Sequence, residues 1–365
     1  MNAEQVFSSV GVAIGLGCVS SLGVIVIAKI RRGRVRARSR ALLAPYRGAL
    51  ITIASGEDEG GQAKVALGAV PPHIWSRLRP SVVAFLPKVR GVPAEELSAL
   101  MCSHGEIDEA RRMLTSRSAV GRARAAYLLG LVRDSDSVAL VLPLLSDPAA
   151  DVRMVAARAL GTIGDPSAGS GILHALRTRR GQIGLPAWVA AEALLSMGVE
   201  ITPTLQIGLA SDDPAVRSVC AVVAGHGTYI STAPQLRTLL ATDSDCDVRA
   251  NAAVALGRVG GPDDAATLAL HVGPSEKVVL RRTCATALGE VGHRESVEAL
   301  TGLLGDCDRR LAELAADSLV RIGSEGIARL EEATTTEQGP RARAASGALE
   351  LAALRGQLVV GSTGP

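Results

Sequence analysis

The chain is predicted to be all-α: an α-solenoid of about seven to eight helical hairpins, preceded by a single transmembrane helix. Three observations carry this expectation. A unit of about thirty residues recurs, as in Asp151-Val152-Arg153-Met-Val-Ala156-Ala157-Arg-Ala159-Leu160-Gly161 and Asp247-Val248-Arg249-Ala-Asn-Ala252-Ala253-Val-Ala255-Leu256-Gly257. Apolar residues inside each unit recur at three- and four-residue spacing, which makes one apolar helix face. No charge occurs for 24 residues between Glu4 and Lys29, whereas about 20 apolar helical residues suffice to cross a hydrocarbon core.

The amino-terminal run is rich in valine, isoleucine and leucine and is followed at once by Lys29, Arg31, Arg32, Arg34, Arg36, Arg38 and Arg40. A cleaved signal peptide carries its charge before the apolar region. The order here is reversed, so residues 1–30 read as an uncleaved anchor that enters the membrane through residues 5–28. A helix buried in a partner complex is the alternative. The positive-inside bias then places the rest of the chain in the cytoplasm, on a cell inner membrane. The seven basic residues read as a topology signal. They would also suit anionic lipid headgroups, while a nucleic-acid arm fits a block held against lipid poorly.

Residues 31–60 read as this basic segment plus a linker, ending in the polar, glycine-rich Ser55–Gly61. Residues 61–104 read as an irregular helical cap holding Trp75 and Phe85, with Pro93 opening one helix. Arrays need such caps to cover the exposed end of their core. Residues 105–355 read as the solenoid and 356–365 as a disordered tail.

Aligning the repeats on their second glycine gives Arg133, Gly164, Gly198, Gly227, Gly260, Gly292 and Gly323, with steps of 31, 34, 29, 33, 32 and 31 residues. A degraded eighth copy runs through Arg341–Leu349. Each step pairs an alanine-rich helical pattern with a leucine-rich one such as Ser296–Leu304. Stacking such pairs buries a continuous core that no single hairpin could bury alone. In this alignment Arg217 falls one position out of register.

These motifs, Asp-Val-Arg followed by Ala-Ala-x-Ala-Leu-Gly and a β-branched residue before glycine, resemble the bacterial HEAT-repeat family, especially the HEAT-like repeats of phycobiliprotein lyases. The resemblance covers about residues 105–355. It implies the fold, but not one function, because the family includes scaffolds, adaptors, lyase subunits and a few DNA-repair enzymes.

Arg122, Arg153, Arg249 and Arg281 recur at one repeat position, with Asp151 and Asp247 two residues before two of them. They read as structural arginines in a salt-bridge ladder between repeats. An arginine stripe that grips an acidic partner is the alternative. Trp188 and His226 interrupt the repeat pattern. They mark either a bend in the superhelix or a partner surface, because exposed aromatics are common anchors.

Outside Glu4 and residues 29–40 the chain has 32 basic and 35 acidic residues. That body lacks the broad positive field a phosphate backbone needs, and aromatics for base stacking are only 2%. The six histidines are scattered, with no HExxH. No P-loop or GxSxG motif occurs, and Gly169-Ser170-Gly171 follows no predicted strand. The six cysteines form no CxxC pair and read as small core residues of a reducing compartment. No catalytic, cofactor-binding or metal-ligating residues are assigned, and no cofactor is expected. With arginine far exceeding lysine and abundant alanine and glycine, the composition suits a GC-rich bacterial genome. The expected protein is a membrane-tethered, non-enzymatic scaffold or adaptor that binds a protein partner, such as a membrane enzyme or transporter. A phycobilin-lyase-like enzyme subunit and a nucleic-acid-binding solenoid are the alternatives, and nucleic acid is not expected as a partner.

Overall fold

The computed structural model describes residue 29 and residues 43–177, 184–336 and 338–356. Among these every regular element is helical and no strand occurs. The chain divides into two compact units, Met1–Ala110 and Arg111–Pro365.

In the first unit, helices α1 (43–55), α2 (Gln62–Gly68), α3 (Pro72–Phe85) and α4 (Val92–Ser103) enclose Ile53, Leu67, Leu78, Val82, Leu97 and Met101. The polar stretch after α1 is an ordered cap. The Asp58 carboxylate accepts the Ala63 and Lys64 amides at 3.0 and 2.9 Å, satisfying donors that the first turn of α2 leaves open. Trp75 is buried against His104, their rings stacked at 3.7 Å, and its indole N–H donates to Glu106 at 2.8 Å.

The expected location in an inner membrane is corrected by this architecture. Among the described residues no helix is long and apolar enough to cross a membrane. The physical reason is amphipathicity. Even the 15-residue helix Pro340–Leu354 alternates buried alanines with arginines and a glutamate, whereas a span needs about 20 mostly apolar residues. The run 5–28 on which that expectation rested lies outside the described residues, as do Arg31, Arg32, Arg34, Arg36, Arg38, Arg40 and the tail from 357 onward. Lys29 is helical and exposed.

The division between the units falls within α5 (Glu106–Met113). Beyond it, α6 (Ala119–Leu131) is followed by seven helix pairs. In order these are α7 (Val138–Val141) with α8 (Ala150–Ile163), α9 (Gly169–His174) with α10 (Ala187–Ser196), and α11 (Thr202–Leu209) with α12 (Pro214–His226). Then come α13 (Ala233–Thr242) with α14 (Cys246–Val259), α15 (Pro262–Ala269) with α16 (Val278–Val291), α17 (Arg294–Leu303) with α18 (Arg309–Ile322), and α19 (Ser324–Thr336) with α20 (Pro340–Leu354). The even-numbered helices stack on one another as an alanine layer, and the odd-numbered ones form a leucine layer behind them. Neighbours touch more extensively in the alanine layer, whose helices are mostly the longer ones.

One small-residue contact sets that spacing. A Cβ added to Gly130, Gly161 or Gly257 would lie 2.7–2.9 Å from the Cα of Ala159, Ala193 or Ala287 on the next helix. Gly225 meets Ala255 and Gly289 meets Ser318 in the same way. The glycine lets two backbones touch, and the alanine opposite leaves room for it. The rule lapses twice, at Leu195 in α10 and Val320 in α18. Ala253 on the same layer is fully buried. Its enlargement to leucine is expected to overpack the seam by about 1–3 kcal/mol, read as a lowered urea midpoint.

The seam glycines also correct the repeat register. Three residues after this seam position the chain leaves the helix through a left-handed residue at Gly164, Gly198 and Gly292, and also at Arg133 and Thr228, with φ of 53° and 54° for the last two, whereas Gly260 after Gly257 is extended at φ −71°. The sequence alignment had used Gly227 in place of Thr228. Gly227 is instead where the Tyr229 ring lies, and a Cβ there would collide with it. Shifting the register by one brings Arg217 into line with the other arginines. Non-glycine residues pay about 1 kcal/mol in this conformation. Thr228→Gly is therefore expected to stabilise the chain by about 0.5–1 kcal/mol, seen as a raised denaturation midpoint with an unchanged slope.

Candidate functional site: a partner-docking face

Positions three residues before the seam glycine point outward from the alanine layer. In successive helices they are Tyr127, Arg158 and Glu192, then Val222 and Val254. Positions seven before it are Met154 in α8 and Trp188 in α10. At helical spacing these sets share one face.

Trp188 is 59% and Tyr127 50% exposed, whereas Tyr229, the other tyrosine of this unit, is buried. Arg158 holds the indole in place. Its guanidinium carbon lies 5.1 Å from the Trp188 ring centroid, and its Nε donates to Glu192 at 3.1 Å. A cation over an aromatic face is attractive by about 0.5–1 kcal/mol at an exposed site. The ring is thus pre-oriented while most of its surface remains in water. Burying it would be worth about 2–3 kcal/mol, so its exposure withholds stability that a partner can recover.

His226 is exposed in the last turn of α12. Trp188 lies near the start of α10. By repeat register they are eight helical positions apart, about 12 Å along the axis, at opposite edges of the face. The structure does not bring them together.

The recurrent arginines sit in the first turns of alanine-layer helices and tie down the loops that join the two layers. Arg122 makes a two-pronged pair with Asp147 at 2.6 and 2.8 Å, and its third nitrogen donates to the Ser116 carbonyl at 2.8 Å. Arg217 repeats this geometry with Asp243, at 2.7 and 2.8 Å, and with the Ser211 carbonyl at 2.8 Å. Arg249 reaches Glu276 at 2.5 Å and the Leu240 carbonyl at 2.8 Å. Arg281 reaches Asp306 and the Val272 carbonyl. Arg153 is buried and donates to the Asp147 and Pro148 carbonyls. At α10 the position is Ala187, and Arg177 reaches Asp213 at 3.2 Å.

Each carboxylate comes from the following repeat, not from Asp151 or Asp247. Residues two apart on a helix do not face each other, and both of those aspartates are exposed. Asp147, Asp243 and Asp306 also accept the amide two residues on, at 2.8–2.9 Å. Burial pushes these three carboxyls up, but the arginine and amide hydrogen bonds outweigh it and hold them below the usual carboxylate range. Arg249 and His271 do the same for Glu276. One signal was legible in the sequence: an aspartate follows several leucine segments closely, as in Leu145-Ser-Asp147 and Leu304-Gly-Asp306.

Burial pushes the thiols of Cys220 and Cys284 up to about 12, which leaves them protonated at neutral pH. Among the described residues no group of three or more His, Cys, Asp or Glu is placed to hold a metal ion.

A stacked array of helix pairs with alanine seams and tied loops defines a repeat protein of the α-solenoid class. A family profile for HEAT repeats matches residues 107–197, 201–279 and 270–350. The chain belongs to the HEAT-repeat family. No curated protein matches it in sequence. Among solved structures it is similar to human deoxyhypusine hydroxylase, at 19% identity over 81% of this chain and 98% of that one, with a TM-score of 0.29. It is also similar to the CpcE–CpcF complex of phycocyanin lyase from Nostoc, at 20% identity over 67% and 94%, with a TM-score of 0.31. A karyopherin, Kap95p with RanGDP, matches at 12% identity over 91% of this chain and 54% of that one, with a TM-score of 0.49. These likenesses extend to the fold alone.

Proposed function

We propose that the chain is a non-enzymatic scaffold or adaptor that binds a protein partner on its alanine layer, with Trp188 as the anchor and Tyr127 beside it. The observation that carries this is a half-exposed indole clamped by Arg158 on a face where bulky side chains are scarce. Pre-orientation lowers the entropy lost on binding, and aromatic anchors dominate protein interfaces. Solenoids present such extended faces without rearranging. The near balance of charge outside residues 29–40 supports a protein surface over a phosphate backbone.

Cross-linking and affinity capture on the full chain provide the test. Wild type is expected to return one stoichiometric protein, and Trp188→Ala to lose it while melting within about 0.5 kcal/mol of wild type, as surface substitutions do. Equal capture by both chains would remove Trp188 from the interface. Turnover of a pigment, or salt-dependent binding of DNA, would defeat the scaffold reading itself.

A further inference from the structure

Four leucine-layer helices begin with a buried polar group. Ser137, Thr232, Asp264 and Ser296 are fully buried, each four residues beyond the one that ends the preceding alanine-layer helix, at Arg133, Thr228, Gly260 and Gly292. The first three are satisfied. The Ser137 hydroxyl donates to Asp134 and accepts from Arg111 at 3.0 Å. The Thr232 hydroxyl donates to the Tyr229 carbonyl at 2.7 Å. Asp264, the third residue of α15, accepts the Gly261 amide at 2.8 Å and Arg237 of α13 at 2.5 and 3.1 Å.

Ser296, the third residue of α17, differs. Its Oγ and the Nδ1 of His293, the residue before the helix, are buried and have no hydrogen-bond partner among the described residues. Both halves of the tie that closes the start of α15 are replaced here. Ser296 stands where Asp264 stands one repeat earlier, and Ala269 stands where Arg237 does. Leu240 and Val272 fix that register, since their carbonyls accept from the equivalent arginines Arg249 and Arg281. No side chain caps α17, so the first amides of the helix stay open and its positive end uncompensated. Arg294 and Glu295 are exposed, and Arg294 reaches Glu325 at 3.8 Å.

We propose that the start of α17 is a binding site for a small carboxylate, which takes the place that the Asp264 side chain fills one repeat earlier. A side chain at the third helical position points back at the helix start, so Ser296 faces the same spot as Asp264 but is shorter by the carboxyl carbon. The Ser296 hydroxyl, the His293 ring in its Nδ1-protonated form and the open amides of the first turn donate to the ligand. Entry lies along the flank that Arg237 fills, where that side chain is 40% exposed. Ala269 offers only a methyl group there. A partner's backbone cannot follow a carboxylate to a fully buried hydroxyl, so the ligand is a free acid of a few atoms. The site lies in the leucine layer and is independent of the Trp188 face.

The test titrates acetate into the full chain at constant ionic strength and follows the histidine ring resonances by NMR, with His293→Gln assigning the signal. The His293 resonances are expected to shift saturably, in the millimolar range that suits so small a ligand, while those of exposed His226 stay in place. Inorganic phosphate, larger than the carboxylate it would replace, should bind more weakly. Ser296→Ala should weaken acetate binding at least about tenfold. It should not lower the urea midpoint, because the hydroxyl it removes has no partner in the free chain, and that separates ligand contact from a structural role. Ser296→Asp combined with Ala269→Arg installs the pair of α13 and α15, so the folded variant should no longer respond to acetate. Shifts that fail to saturate or that His226 shares, tighter binding of phosphate, or undiminished acetate binding by Ser296→Ala would each overturn the site.

Discussion

Arg217→Met is expected to destabilise the array by about 3 kcal/mol at neutral pH, the largest effect of any single charge removal considered. The Asp243 side chain is 2% exposed and that of Arg217 13%. Deleting one partner of such a pair leaves a buried charge without compensation. The substitution also frees the Ser211 carbonyl, so two successive loops lose their tie. The pH dependence separates this from a simple packing defect. A carboxyl whose folded pKa is depressed stabilises the native state above its unfolded value, near 3.8 for Asp243, and loses that contribution as pH falls through the lowered folded value. Asp147 and Asp306, and Glu276 from its own value near 4.5, follow the same sign. Wild type should hold its stability from neutral pH down to about pH 4 and lose it below. In Arg217→Met burial still acts on Asp243, opposed only by the Asp245 amide and by Arg249, so its pKa rises above the wild-type value and protonation relieves the defect. The gap between variant and wild type should therefore narrow on acidification. Urea midpoints at pH 7 and near pH 3 measure it, and a gap constant across that range would refute the ion-pair account.

Gly161→Val is expected to be as damaging, at about 3 kcal/mol, through contact alone. The added Cβ would lie 2.6 Å from the Ala193 carbonyl oxygen and 2.7 Å from its Cα. Both are backbone atoms of the next helix, so no side-chain rotation relieves the clash. The helices must separate, and overpacking of this kind typically costs about 1–3 kcal/mol, more when the neighbour cannot move. Gly302 in α17 supplies the contrast, since a Cβ there meets nothing within 4 Å. Gly302→Ala should stabilise the chain by about 0.5–1 kcal/mol, because helical glycine is entropically unfavourable. Thermal melts of the two variants should move in opposite directions. A shared direction would mean that seam contact does not set the spacing of the alanine layer.

Much of the candidate site was written in local pattern. Trp188 stood out because a large ring occupied a position held by methionine, alanine or arginine in other repeats. Its clamp by Arg158 was not legible, because the two lie 30 residues apart and meet only through the stacking of α8 on α10. The arginine ladder was visible as a recurrence, but its carboxylates lie 25–27 residues further on. Nearby Asp151 and Asp247 therefore drew the assignment, although they project from a different side of the helix. His226 looked like a companion of Trp188 because both break the repeat. Helix geometry puts them at opposite edges.

The amino-acid sequence alone determined that this is an array of helix pairs, how many there are, and which faces they bury. Those properties follow from three- and four-residue periodicity and from a repeat of about thirty residues, both local. Tertiary structure alone decided the register at Thr228 and the partners of each arginine. A left-handed turn can be taken by glycine or by its neighbour, and the choice here goes to the register in which Gly227 makes room for the Tyr229 ring. Which carboxylate an arginine meets depends on the side chain that the next repeat brings to it, a contact that exists only once the repeats are stacked.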